Sequence, residues 1–174
     1  MRVRRFLLAG LVAALAAVVA APAAYAETTK CTGTFNGTVK LDNVKVPKDA
    51  TCTLNGTRVK GNIKVGSGAT LIATNVKVGG NIQGKEFASV RVNGTSSKLG
   101  GSVQLKDGDF VTLTNVKVNG DIQLFDNFDL LVLNNNKIGG NLQCKENFEE
   151  PTGANNKVKG NAEDQCDSAI AIEI

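Results

Sequence analysis

Apolar residues recur in pairs two apart, and the pairs themselves recur at a longer period. Around Gly61 the chain reads Val59-Lys60-Gly61-Asn62-Ile63-Lys64-Val65. The same corner returns at Gly80, Gly101, Gly120, Gly140 and Gly160, and Asp42 holds its place one turn earlier, at intervals of 19, 19, 21, 19, 20 and 20 residues. Self-similarity at such a period marks a solenoid. With the glycine as position zero, positions −4 and −2 are apolar at Val76 and Val78 and at Val116 and Val118, with Ile138 and Val158 at −2. Positions +2 and +4 hold Ile63 and Val65, Val103 and Leu105, Ile122 and Leu124. Positions +10 and +12 hold Leu71 and Ala73, Val90 and Val92, Val111 and Leu113, Leu130 and Val132. Alternation with period two gives each stretch one buried face. Three such strands per coil, stacked in parallel, predict an all-β, single-domain parallel β-helix with three-strand coils of roughly 20 residues. The chain lacks the strict hexapeptide repeat of left-handed β-helices, so a right-handed coil is expected.

The corners have a chemical logic. A glycine at zero can take the positive φ of a sharp bend. Asn62, Asn81, Asn141 and Asn161 follow it, with Ser102 and Asp121 as substitutes; such an amide can bond the backbone or its stacked copy. A second polar turn near +14 carries Asn75, Asn115, Asn134 and Asn155.

Both ends break the pattern. Residues 1–26 read as a secretory signal peptide: Arg2, Arg4 and Arg5, an apolar run from Phe6 to Ala21, then Ala24-Tyr25-Ala26. The mature chain then spans 27–174, with an irregular first turn or cap over 27–41, coils over 42–166 and a terminal strand over 167–174. No second apolar run long enough for a membrane span follows. Glu149-Glu150-Pro151-Thr152-Gly153 is expected to replace a strand and stop its ladder. Ala169 to Ile174 alternates like a strand, suited to capping an open edge or to head-to-tail association with another copy.

Composition changes the picture in two places. Without the leader's three arginines, the 20 Lys+Arg become 17 against 16 Asp+Glu, a net of +1. The basic balance of the whole chain is therefore no pointer to nucleic acid, and any electrostatic role rests on arrangement. The four cysteines pair by the repeat: Cys31 and Cys52, and Cys144 and Cys166, each lie about one turn apart, on strands separated by about 4.8 Å. That is within disulfide reach, and a staple at each end would suit an exported solenoid. A metal site is the rival reading, with no His and no C-x-x-C to support it.

Stacking turns a repeated outward residue into a column. Position −3 reads Arg58, Lys77, Lys98, Lys117, Lys137 and Lys157. Position +3 reads Lys45, Lys64, Gln83, Gln104, Gln123, Gln143 and Glu163, a candidate amide ladder. Lys85, Lys106 and Lys145 at +5 adjoin Glu86, Asp107, Asp126 and Glu146 at +6; these read as self-compensating surface pairs. A calcium site built from Asp107, Asp109, Asp126 and Asp129 is the alternative. Surface lysines also guard strands against aggregation, but six like charges in register repel one another, and a polyanion would relieve that. No aromatic platform accompanies the column, which argues against single-stranded nucleic acid.

Parallel β-helices host lyases and hydrolases. The coils here are near minimal in length, without the loop insertions that build a cleft, without His, and without a G-x-S-x-G elbow or a phosphate loop. No catalytic residue, metal or nucleotide cofactor is predicted. Threonine ranks at Thr51 and Thr53 and at Thr112 and Thr114 hint at ice or mineral binding, but Ile72, Arg91 and Leu131 interrupt them.

The Gly-Asn-Ile-x-Val corners between apolar strands, over about Asp42 to Cys166, resemble those of the bactofilins, a polymer-forming β-helix family. The resemblance implies a non-enzymatic structural element that associates through its terminal coils without nucleotide. A leader and disulfides set this chain apart, outside the cytoplasm. The expectation is a secreted structural or adhesive protein of the bacterial envelope, associated with the cell wall, whose basic column holds an anionic wall polymer or acidic polysaccharide. The alternative is a carbohydrate-binding or carbohydrate-active β-helix protein.

Overall fold

The computed structural model describes residues 26–167 and 170–174. The expected signal peptide over 1–26, apart from Ala26, lies outside the described residues, as do positions 168 and 169. The chain is an all-β parallel solenoid whose coils each contribute one strand to three sheets, named here by their outward columns. The glutamine sheet has eight strands: Thr28–Lys30, Asn43–Val46, Ile63–Val65, Ile82–Lys85, Val103–Lys106, Ile122–Phe125, Leu142–Lys145 and Ala162–Asp164. The threonine sheet has seven: Thr34–Asn36, Thr51–Asn55, Thr70–Thr74, Ser89–Asn93, Phe110–Thr114, Leu131–Asn134 and Thr152–Ala154. The lysine sheet has eight short ones: Lys40–Leu41, Arg58–Val59, Lys77–Val78, Lys98–Leu99, Lys117–Val118, Lys137–Ile138, Asn156–Val158 and Ala171–Glu173. Residues 28–41 thus form a complete first rung rather than an irregular cap.

The corner glycines line up along one edge. An unbroken run of backbone hydrogen bonds joins them, from Gly61 N–H to the Asp42 carbonyl (2.7 Å) rung by rung to Gly160 N–H on the Gly140 carbonyl (3.1 Å). Their role is not the expected one, because none of these six has a positive φ. Glycine is required by close approach instead: a Cβ on Gly80 would strike the Asn62 amide oxygen and the Gly61 carbonyl of the rung beneath. Left-handed backbone occurs at the other two corners. In the second turn Gly37, Gly56, Asn75, Gly94, Asn115, Asn135 and Asn155 all have positive φ, so Asn135 takes the place expected of Asn134.

The apolar columns fill the interior, with Ile63, Ile82, Val103, Ile122 and Leu142 stacked at full burial. One register expectation fails. Leu131 and Leu133 point inward, not Leu130 and Val132; Val111 pairs with Leu131, and Leu130 is 47% exposed. The turn before this strand holds one more residue than its predecessor, and a one-residue slip exchanges the two faces of a strand. The expected break at Glu149 to Gly153 is also later than proposed. Thr152–Ala154 pairs with the Leu131–Asn134 strand, and the threonine sheet ends there. Gly153, at φ +152°, lies so close to the Leu133 carbonyl that no side chain fits.

Position −4 is apolar only in part. Thr57, Ser97, Asn136 and Asn156 occupy it as buried polar groups beside Val76 and Val116. Both disulfides form as the repeat predicts, Cys31–Cys52 with Cα atoms 5.3 Å apart and Cys144–Cys166 with 5.1 Å. Ala171–Glu173 pairs in parallel with Asn156–Val158 and caps the lysine sheet.

Candidate functional site

The lysine sheet carries the candidate site. Five of its six interior strands are only two residues long, Asn156–Val158 being the exception, and every interior rung presents one cation beside a buried apolar residue. Register pairs Arg58 with Lys77, Lys77 with Lys98, Lys98 with Lys117, Lys117 with Lys137, and Lys137 with Lys157. All six predicted residues therefore stand in one column and all are exposed. Lys40 pairs with Arg58 and extends the column by one rung. Counting three back from Asp42, which holds the corner place, gives Val39; Lys40 was missed because this rung has one residue fewer between its lysine-sheet strand and its corner. At the other end Lys157 pairs in register with Ile172 of the terminal strand.

The column has no internal neutralisation. Among the described residues none of these seven cations forms an ion pair, whereas Lys60, Lys85, Lys106 and Lys145 all do. Neighbouring rungs lie about 4.8 Å apart, inside the ~8 Å screening length of physiological salt. Beside the column runs the −1 position, with Gly79, Gly100 and Gly139 separated by Asn119 and flanked by Lys60 and Lys159. The glycines leave a shallow groove along the lysines, with a cavity of ≈ 340 Å³ bordered by Arg58, Lys77, Lys98 and Lys117. A second stretch of ≈ 490 Å³ borders Lys137, Lys157 and Lys159.

On the glutamine sheet Lys30, Lys45 and Lys64 also stack in register without an ion pair among the described residues, but the rungs above them are satisfied internally. Gln83 donates to Gln104 (2.8 Å), Gln104 to Gln123 (3.0 Å), Gln123 to Gln143 (2.9 Å) and Gln143 to Glu163 (2.7 Å). This is the predicted amide ladder, and it runs beside a depression of ≈ 440 Å³. Asp126 accepts from Lys106 at 3.0 Å, and Asp107 lies 3.8 Å from Lys85, one rung below. The hydrogen bond from Lys106 to Asp126 raises the lysine's pKa above its usual value. Two of the four acids considered for calcium are thus held by lysines, and no group of three metal-binding side chains converges among the described residues. The threonine rank reads Thr34, Thr53, Ile72, Arg91, Thr112, Val132 and Thr152, so Val132 and not Leu131 interrupts it.

Two buried ladders escaped the sequence reading. Asn136 receives the Val116 N–H on its oxygen (2.9 Å) and donates to the Leu113 carbonyl (2.8 Å) and to Asn156 (2.9 Å). Asn127 and Asn147 repeat the arrangement at the turn between the glutamine and threonine sheets, ending on Gln165. The signal was present as Asn-Asn repeats at Asn135-Asn136 and Asn155-Asn156, but alternation scores a buried Asn as a surface residue.

Set against known proteins, this chain matches no family model, no curated protein and no solved structure, so its likeness to bactofilins rests on the corner motif, and what stands on its own is a disulfide-stapled parallel β-solenoid with seven cations in register on one face, none of them in an ion pair among the described residues.

Proposed function

We propose that the protein is a non-enzymatic structural rod of the bacterial envelope that holds a linear anionic polymer along its lysine column. One observation carries the reading: seven cations stand in register on one face, without an acidic partner among the described residues. Protection of strand edges does not account for them. Lys77, Lys98, Lys117 and Lys137 lie on interior rungs paired on both sides, where no edge is open. A chain of carboxylates or phosphates laid along the glycine groove would meet one cation per rung. The two disulfides favour an oxidising compartment, which agrees with export and with an acidic wall polymer or polysaccharide as the partner.

The test is retention on purified wall polymer. Replacing Lys77, Lys98, Lys117 and Lys137 by Gln is expected to weaken binding about tenfold or more at low salt, with the wild type losing affinity steadily as salt rises. Unchanged retention of the quadruple variant at low salt would remove the reading.

A further inference from the structure

The opposite side of the rod is aromatic and acidic. Of the six phenylalanines after the leader, three crowd the turn between the glutamine and threonine sheets in the last three full coils: Phe110 is 40% exposed, Phe128 60% and Phe148 79%, and Leu130 joins them at 47%. Two of them are stacked by the ladder, and Phe110 stands one position along from that stack. Phe128 N–H bonds the Gly108 carbonyl and Phe148 N–H bonds the Asn127 carbonyl, so Phe128 and Phe148 follow one another at one-rung spacing. Below Phe128 the same position carries Asp109, on the rung of Phe110, and then Ala88, so the strip belongs to the C-terminal half alone. Asp109, Asp129, Glu149 and Glu150 rim it, and none of them forms an ion pair among the described residues. Large exposed aromatics gathered at one place mark an interaction surface.

We propose that this strip docks on the lysine sheet of a second copy, so that rods associate side by side, parallel and in register. The geometry follows from the coil. The chain passes from lysine sheet to glutamine sheet to threonine sheet and back, so the glutamine–threonine turn is the one corner that the lysine sheet does not touch. Strip and column therefore face away from each other. Their repeats are identical because both are rungs of one ladder. Phe110, Phe128 and Phe148 stand at the heights of Lys117, Lys137 and Lys157, and their rim is negative where the column is positive. Lysine stems lie well on aromatic faces, and the ammonium gains from the ring and from the carboxylates beside it. A strip-to-strip contact would instead bring four carboxylates against four. Because strip and column are different surfaces, the contact is heterologous and does not close, so it builds open rows rather than dimers. Three rungs make a small contact, which suits association that appears with concentration and reverses on dilution. Lys40, Arg58, Lys77 and Lys98 stay free of the neighbour and available to a polymer.

The experiment is sedimentation velocity on the purified protein, as processed by the cell, over a wide concentration range at low and high salt. The wild type is expected to show a weight-average mass that climbs with concentration at low salt and falls at high salt. Phe128→Ser with Phe148→Ser is expected to remain monomeric at concentrations at least tenfold higher while still binding wall polymer, which separates this inference from the reading above. Glu149→Lys with Glu150→Lys should be monomeric alone, and so should Lys137→Glu with Lys157→Glu. Mixing the two should restore association into rows in which the variants alternate, because each variant's strip then meets the other's column with opposite charge. Circular dichroism unchanged from wild type guards against misfolding of either variant. A wild type that stays monomeric throughout, association indifferent to the phenylalanine substitutions, or a mixture that fails to pair would each overturn the proposal. Capture of a neutral polysaccharide by the strip without self-association would overturn it in favour of a sugar ledge.

Discussion

Asn62 shows what a single corner side chain does in this fold. Its amide oxygen accepts the backbone N–H of Asn81 at 2.8 Å, as Asn81 does for Ser102, Ser102 for Asp121 and Asp121 for Asn141. Amide, hydroxyl and carboxylate interchange because the rung above needs only an oxygen acceptor. Phe87, the one fully buried aromatic among the described residues, shows the complementary case of a missing side chain. Its ring occupies space left by Gly84, where an added Cβ would come 2.9 Å from it, and by Gly108, where a Cβ would collide with the ring outright. Gly108→Ala is therefore expected to cost about 1–3 kcal/mol through overpacking, read as a lowered urea midpoint with an unchanged slope. The register slip offers a sharper contrast. Leu131→Ala should cost about 2–5 kcal/mol as a core truncation, whereas Leu130→Ala, its exposed neighbour, should stay within about 0.5 kcal/mol of wild type. Equal effects at the two positions would show that the face had been assigned wrongly. Asn136→Ala removes partners from the Leu113 carbonyl and the Val116 N–H at once. At roughly 1–3 kcal/mol for each buried group left unpaired, it should be among the most damaging single changes.

The rung is the element, and each rung is held by its neighbours and closed at the ends by sulfur. Each disulfide spans about one coil, a closure worth about 3 kcal/mol in the chain-entropy account. Cys144→Ser with Cys166→Ser should lose that much and expose amides of the last coil to hydrogen exchange first, leaving Ser89–Asn93 protected. The first rung has an electrostatic tie as well. Lys60 donates to Asp42 at 2.8 Å and the Glu27 N–H also reaches it, and the lysine hydrogen bond before all else holds the Asp42 carboxyl below its usual range. A depressed carboxyl contributes stability above its unfolded pKa and loses it as pH falls through the folded value. Exchange at the first rung should therefore quicken in acid, and Asp42→Asn should flatten that dependence. Much of this scale was legible in the sequence, because like residues at a fixed period have to stack: the disulfide pairing, the glutamine ladder and the lysine column all follow from counting. What counting could not see were departures from the period. The extra residue before Leu131 shifts a strand by one without altering its apolar look. Asn136 and Asn156 are buried polar groups whose partners lie on other rungs. The corner glycines were placed correctly but for the wrong reason, since spacing reveals that a side chain is forbidden and not which atoms forbid it.

At the scale of the molecule, function is proposed to lie in a line rather than in a pocket, and that distinction can be measured. A pocket depends on a few residues at one place; a line depends on how many consecutive rungs are intact. The column runs Lys40, Arg58, Lys77, Lys98, Lys117, Lys137, Lys157. Replacing Lys40 and Arg58 by Gln removes two cations and leaves five contiguous ones. Replacing Lys98 and Lys117 by Gln also removes two but divides the column into runs of three and two. Net charge changes equally, so a polymer attracted only by overall charge would lose the same affinity for either variant. A polymer bound rung by rung loses more when the run is broken, because its two halves must then bind as separate short segments and the benefit of tethering the second to the first declines with the gap between them. The central pair is therefore expected to weaken binding severalfold more than the terminal pair, measured at low salt and at protein concentrations too dilute for rods to associate. Equal losses would mean that the cations act as a diffuse positive surface, and that their alignment is a by-product of the repeat.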